Sequence, residues 1–349
     1  MDLRSLSITP ELLRLISEID EFKGCWSAKE PQNPDRLQVL RHVATIESIG
    51  SSTRIEGSKL SDSDIEDLLS QVGKTSFLTR DEQEVAGYAE VMEMMFDNYG
   101  DIPITENHIK QLHSILLRHS EKDARHRGEY KKHSNNVEAF DPDGKRLGVV
   151  FETTTPFDTP GQMHDLLEWT RGALEDKSYH ALIVIAIFNV VFLAIHPFQD
   201  GNGRLSRVLV SLLLLKAGYS YMQYASLESI VEKNKDAYYL ALQRTQKTLK
   251  QDKADWLPWM TFFLRSLKRQ KDHLAKKTEA LSQYPELPHE SMLIMQYVDI
   301  HYRITIRDAE KLIQTVSRPT IKNRLSDLVE RGLLVRHGKA RGTWYTKSE

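Results

Sequence analysis

Twelve consecutive residues, His196-Pro-Phe-Gln-Asp-Gly-Asn-Gly-Arg-Leu-Ser-Arg207, gather a histidine, an acid, two glycines, an asparagine and two arginines. Histidine titrates near working pH, so His196 could take a proton from an attacking hydroxyl. Asp200 offers the carboxylate that Mg²⁺ uses when phosphates supply its other ligands. Gly201-Asn202-Gly203 lets the backbone curl so that successive N–H groups point one way at the mouth of the next helix, an arrangement that binds phosphate. Arg204 and Arg207 are three apart and share a face of that helix's first turn, where they could neutralise outer phosphates. A histidine before proline is often structural, and a helical arginine pair is often solvated. Their concentration in one loop argues for a site.

Elements able to position that loop flank it. Ala181 to Ile195 is an apolar run of buried-helix character, and Leu205 to Ala217 is a second. Pro197 forbids simple helical continuation between them. The 15-residue run contains Asn189 and falls short of the roughly 20 residues a membrane span needs. It reads as a core helix, and no membrane association is expected.

The rest of the chain is predominantly helical by pattern. Leu12, Leu15, Ile16 and Ile19 mark a first helix. Leu37, Leu40, Val43, Ile46 and Ile49 mark a second, running into Ser51-Ser-Thr-Arg-Ile-Glu-Gly57. Thr79-Arg-Asp-Glu82 is a capping box ahead of a long helix. Thr105 opens another. Residues 119–160 break the pattern: 137–140, the turn Asp141-Pro-Asp-Gly144 and 147–151 read as a β-hairpin in an otherwise helical body. Helices resume at 160–175. One through Asn234, Tyr238 and Leu242 follows the central pair, and a long one from Asp255 turns basic after Arg265 and could form a stalk. Tyr284-Pro-Glu-Leu-Pro288 reads as a linker. Beyond it, helices at 290–302, 305–312 and 317–331 precede strand-like 333–336 and 343–346, the pattern of a winged helix-turn-helix. The fold class is mainly α, with domains expected at 1–78, 79–284 and 285–349.

Net charge is −2, so no global field selects a nucleic acid or an acidic partner. Residues 285–349 carry 11 Lys+Arg against 8 Asp+Glu. The single cysteine, Cys25, permits no intrachain disulfide and fits a reducing compartment. The N-terminus lacks a signal-peptide apolar core, so a cytoplasmic location is expected.

The loop resembles the signature of the Fic family, H-P-F-x-(D/E)-G-N-G-R-x-x-R, at every specified position. The resemblance implies a helical core with a hairpin flap, and transfer of AMP from ATP to a Ser, Thr or Tyr hydroxyl of a target protein or of the chain itself. It makes His196 the general base and Asp200 the Mg²⁺ ligand. Asn202 with the Gly201 and Gly203 amides would bind the α-phosphate, Arg204 the α- and β-phosphates, and Arg207 the γ-phosphate. Asn234 with Tyr238 or Tyr239 would contact adenine, and the hairpin at 137–151 would align the target by strand pairing. Upstream, Ser52-Thr-Arg-Ile-Glu56-Gly57 resembles the family's inhibitory motif, (S/T)-x-x-x-E-(G/N). That likeness implies that Glu56 pairs with Arg207 and guards the site within the same chain.

Rival readings remain open. The same site could hydrolyse AMP from a modified target, or it could sense a nucleotide for a DNA-binding regulator. Another phosphate-containing donor is compatible with the loop. DNA contact would run through 317–341, where Arg318, Lys322, Arg324, Arg331, Arg336, Lys339 and Arg341 lie. A homodimer would suit paired half-sites.

Overall fold

The computed structural model describes residues 3, 5–29, 34–70, 77–140, 146–251, 253–282, 287–313, 316–339 and 342–348. The expected turn at 141–144, Arg341 and most of the linker lie outside the described residues. The rest falls into two compact units, one of residues 1–29 with 43–271 and one of residues 30–42 with 272–349.

The first unit is helical: α1 (Pro10–Lys29), the C-terminal part of α2 (Pro34–Ile55), α3 (Asp62–Ser70), α4 (Arg80–Asn98) and α5 (Glu106–Leu116) precede a hairpin of β1 (Val137–Phe140) and β2 (Arg146–Phe151). After it come α6 (Thr159–Glu175), α7 (Ala181–Ile195), α8 (Asn202–Lys216), α9 (Leu227–Glu232), α10 (Lys235–Gln246) and, to residue 271, α11 (Leu257–Ser282). The two apolar runs form α7 and α8, and they are buried nearly all round. Full burial of each Val, Leu, Ile or Phe contributes about 1.5–3 kcal/mol, so this pair is the axis on which the loop is mounted. Helices α4, α5 and α6 pack beside it. Trp259 of α11 donates its indole N–H to the Ala186 carbonyl oxygen of α7 at 2.7 Å.

Local signals set several boundaries. Thr79 caps α4 with Glu82 reaching back, the capping box expected. The Thr105 side chain accepts from the His108 N–H at the start of α5. Strands β1 and β2 pair antiparallel, with Val137 opposite Phe151. One expectation needs correcting. The basic part of α11 is no free stalk up to residue 271, because Arg265 pairs with Glu11 and Lys268 with Glu18, both on α1. Trp259, Met260, Phe263, Leu264 and Leu267 give that stretch a buried face.

The second unit contains α12 (His289–His301), β3 (Ile304–Thr305), α13 (Ile306–Leu312), α14 (Arg318–Glu330), β4 (Leu334–His337) and β5 (Trp344–Lys347). Its sheet runs β3-β5-β4, all antiparallel. Ile294, Ile304, Ala309, Ile321, Leu325, Leu328 and Leu334 fill its core. Arg318 pairs with Glu310, Arg324 with Glu290 and Arg331 with Asp327, so three of the basic residues of the 317–331 segment already hold acids of their own unit. Among the described residues no helix is long and apolar enough to cross a membrane.

Candidate active site

His196 caps the C-terminus of α7 in the left-handed region, at φ 53° and ψ 61°. That backbone turn takes the ring out of the helical line and starts the loop. Its Nδ1 lies 3.3 Å from the Leu193 carbonyl oxygen. A carbonyl only accepts, so Nδ1 carries the proton and Nε2 keeps its lone pair. Burial pushes the His196 pKa down to about 4, with Lys131 adding to the effect against the opposing influence of the Leu193 carbonyl, Glu56 and Asp200. A neutral ring with a free Nε2 is what a general base requires.

The loop then curls back on itself. Gly201 takes φ 76°, a conformation that a side chain would strain, and becomes the N-cap of α8 with no side-chain capping bond. The mouth of α8 therefore meets the cleft without a capping side chain. Asn202 borders the cleft, and its side chain meets the loop's own backbone. Its Oδ1 accepts from the Phe198 N–H at 2.9 Å and its Nδ2 donates to the Phe198 carbonyl oxygen at 2.7 Å. The side chain staples the loop shut.

These residues line a cleft of about 670 Å³, within the usual range for ligand sites. Its wall includes Glu56, Arg80, Glu84, His196, Asp200, Gly201, Gly203, Arg204, Tyr238 and Tyr239. Asn234 lies outside it, donating to the Ile230 carbonyl oxygen and accepting from Arg269. Of the three expected base contacts, only the tyrosines reach the cleft.

Two ion-pair systems organise the cations. Arg204 is buried and lies 3.1 Å from Glu84 and 3.6 Å from Asp200. Arg80, at the start of α4, donates to Glu84 at 2.7 Å and approaches Asp200 at 3.4 Å. Asp200 also accepts from the Gly201 N–H at 2.6 Å. A part-exposed carboxylate on the cleft wall, already attracting a cation, has the donor chemistry that a hard divalent ion needs.

The second system joins Arg207 to the end of α2. Arg207 Nε donates to Ser52 Oγ at 2.8 Å, and Nη2 donates to the Ser52 carbonyl oxygen at 2.9 Å and to Glu56 Oε1 at 2.8 Å. Burial works against the Arg207 charge, but Glu56, Tyr238 and Tyr88 together outweigh it and the pKa is raised. The Glu56 carboxylate is pressed against the α8 mouth so closely that a Cβ on Gly203 would collide with Oε1. Glu56 lines the cleft and Arg207 does not. One buried nitrogen of Arg207, Nη1, has no hydrogen-bond partner among the described residues.

Several supporting residues lay outside the sequence reading. Arg54 chelates Glu232 with Nε and Nη2 at 2.7 and 3.1 Å and donates to Asp62 at 2.8 Å. It thereby anchors the chain two residues before Glu56. His113 is fully buried, accepts from the Gly128 N–H at 2.9 Å and donates from Nε2 to the Asp200 carbonyl oxygen at 3.0 Å. Its ring stacks on Phe198 at 3.8 Å between centroids. Only a neutral imidazole can make that pair of bonds, and burial lowers its pKa from 6.5 to about 4. The unfolded chain takes up this proton between pH 6.5 and 4 while the folded chain does not. The resulting stability is complete above pH 6.5 and is lost as pH falls, by about 3 kcal/mol for this group. Replacing His113 with Gln should flatten the decline of Tm between those pH values relative to the parent. Parallel profiles would contradict the assignment.

The site is thus a mainly helical core with a hairpin, in which a histidine caps the end of one buried helix and the next begins at the cleft without a capping side chain. Residues 103–214 match the model of the Fic/DOC family. Protein adenylyltransferase Fic of Aedes aegypti is 27% identical over 264 residues, covering 73% of this chain and 47% of that protein. Protein adenylyltransferase Fic of Drosophila mojavensis is 27% identical over 208 residues, covering 59% and 38%. The chain thus spans less than half the length of these curated relatives. A Fic family protein from Desulfovibrio desulfuricans G20 shares the fold with a TM-score of 0.61 at 23% identity, covering 99% of this chain and 98% of that one.

Proposed function

We propose that this chain is a protein adenylyltransferase that moves AMP from ATP to a hydroxyl of a protein, itself included, and that Glu56 restrains it. The observation that carries the reading is the neutral His196, with its lone pair on Nε2, beside the uncapped mouth of α8. The target hydroxyl oxygen attacks the α-phosphorus and gives its proton to His196 Nε2. The bond to the β-phosphate oxygen breaks, and pyrophosphate leaves. The α8 amides and Arg204 stabilise charge on the phosphates. Asp200 would hold Mg²⁺, which would neutralise phosphate charge when bound. Tyr238 and Tyr239 would wall the base, and the hairpin at 137–151 would take the target segment along a strand edge.

The restraint reading rests on the Arg207–Glu56 pair and on the press of Glu56 against Gly203. A carboxylate there takes the arginine that a terminal phosphate would use and adds repulsion. Ser52 supports it by holding the same guanidinium, and Gly57 borders the cleft beside it. The N-terminal helices to residue 78 are then a regulatory region of the catalytic body. The likeness of the relatives by name favours AMP transfer over nucleotide sensing, since a sensor needs the cradle and no base. Hydrolysis of AMP from a modified target by the same groups would appear as AMP release from such a target. Incubating the Glu56→Gly variant with each nucleoside triphosphate and Mg²⁺, followed by intact-mass measurement, tests the donor. A nucleotidyl adduct from ATP is expected. No adduct, or one from another nucleotide alone, would overturn the reading.

For the second unit the reading is a winged helix that touches DNA through Lys322, Arg336 and Lys339, all exposed. Paired half-sites would call for two copies of the chain. Retention of duplex DNA in a low-salt gel shift, lost on changing Lys322 and Arg336 to Glu, is the expected result. No retention by the unsubstituted chain would contradict it.

A further inference from the structure

A buried lysine holds the two roots of the hairpin and the backbone of the catalytic histidine in one knot. Lys131 is 3% exposed. Its ammonium donates to Asn135 Oδ1 at 2.8 Å, to Thr153 Oγ1 at 2.9 Å and to the Ile195 carbonyl oxygen at 3.0 Å. An ammonium has three N–H donors, so all are used. The Asn135 oxygen accepts, and its Nδ2 therefore faces the loop, donating to the carbonyl oxygens of Phe198 at 2.6 Å and His196 at 3.2 Å. Thr153 Oγ1 donates to Asn135 Oδ1 at 2.9 Å, and the Thr153 N–H meets Asn136 Oδ1 at 3.1 Å. The Lys131 N–H closes the set on the Pro197 carbonyl oxygen at 2.9 Å. Residues 135 and 136 lead into β1, Thr153 follows β2, and Ile195, His196 and Phe198 belong to α7 and its loop.

We infer that Lys131 is a positioning residue, which sets the strand edge that aligns the target in register with the His196 base. This deepens the transferase reading and rests on it. All three acceptors of the ammonium are neutral. A charge placed there loses its hydration without gaining a carboxylate, and burial lowers its pKa to about 8. Such a group is a poor choice for stability alone. Its particular capacity is to span three acceptors on three separate segments, which a neutral side chain of similar length cannot do. Catalysis depends on a hydroxyl held on the strand edge meeting Nε2 of a ring held by the loop. A misplacement of about 1 Å between such parts can cost roughly 100-fold in rate. The nucleotide is held elsewhere, by the α8 mouth, the arginines and the tyrosine wall. Loss of the knot should therefore leave nucleotide affinity alone.

The test uses the full chain carrying Glu56→Gly, with Lys131→Met and, separately, Thr153→Val, which removes only the hairpin's side-chain bonds to the knot. Kinetics of AMP transfer, ATP affinity by calorimetry and the tautomer of His196 in ¹⁵N-histidine NMR spectra are measured for each. Lys131→Met should lower kcat about 100-fold while the Kd for ATP stays within about twofold. Thr153→Val should lower kcat by a smaller factor with the His196 tautomer retained. Unchanged kcat in both variants would overturn the inference. So would a parallel loss of kcat and ATP affinity in both. If Lys131→Met does not fold, Thr153→Val decides by the same two criteria. If the Glu56→Gly parent transfers no AMP, the transferase reading fails. The NMR arm then decides the Lys131 part: an unaltered His196 spectrum in Lys131→Met overturns it, and a changed one upholds it.

Discussion

Replacing Glu56 with glycine should raise AMP transfer roughly 30-fold. Displacing one member of a hydrogen-bonded charge pair costs about 2–5 kcal/mol, and the lower end applies because Glu56 is about one-third exposed and partly screened. About 2 kcal/mol corresponds to that factor. The substitution frees the Arg207 N–H that Glu56 now takes, removes a negative charge from the α8 mouth, and clears the space against Gly203. A smaller gain is expected from Arg54→Ala. That change leaves the Glu56 carboxylate in place but releases the chain before it from Glu232 and Asp62. Adding Arg54→Ala to Glu56→Gly should bring nothing further, since the anchor then holds no carboxylate. Labelled-ATP assays on the three variants decide it. No gain from Glu56→Gly would sink the restraint, whatever Arg54→Ala does.

Replacing His196 with alanine in the Glu56→Gly background should abolish transfer, by at least about 10²-fold, the lower range for loss of a general base. ATP should still bind, because the ring contributes a proton acceptor and no phosphate contact. Burial holds the His196 pKa near 4. Activity falls as pH drops through the pKa of a base that must be unprotonated. The acid limb should therefore lie near pH 4, well below that of an ordinary histidine. Transfer persisting in the alanine variant would remove His196 from the mechanism. An acid limb near 6.5 would show that the ring is solvated.

The central loop was legible because its chemistry is local. Within twelve residues the sequence dictates a helix end, a curl and a helix start, and Pro197, Gly201 and the flanking apolar runs each act on their own neighbourhood. The helices were legible for the same reason, down to the capping box at Thr79. The two-residue β3 escaped because Ile304-Thr305 is too short to show a period of two. The expected stalk erred because its basic residues find acids on α1, a partner 250 residues away in sequence. The supporting shell was hidden by the same distance. Glu84, His113, Lys131 and Asn135 look like ordinary surface residues of helices or polar loops, and folding alone brings them to the site. Asn202 is the instructive case. Its identity marks the loop in the sequence, and only the fold shows its side chain on the loop's own backbone.

The most direct test follows the two ends of the nucleotide separately. The Glu56→Gly variant is incubated with Mg²⁺ and ATP labelled on either the α- or the γ-phosphate, and the protein is counted after removal of free nucleotide. The account predicts label on the protein from the α-position only, lost when His196 is also replaced. Label arriving from the γ-position, or α-label that persists without His196, would contradict it.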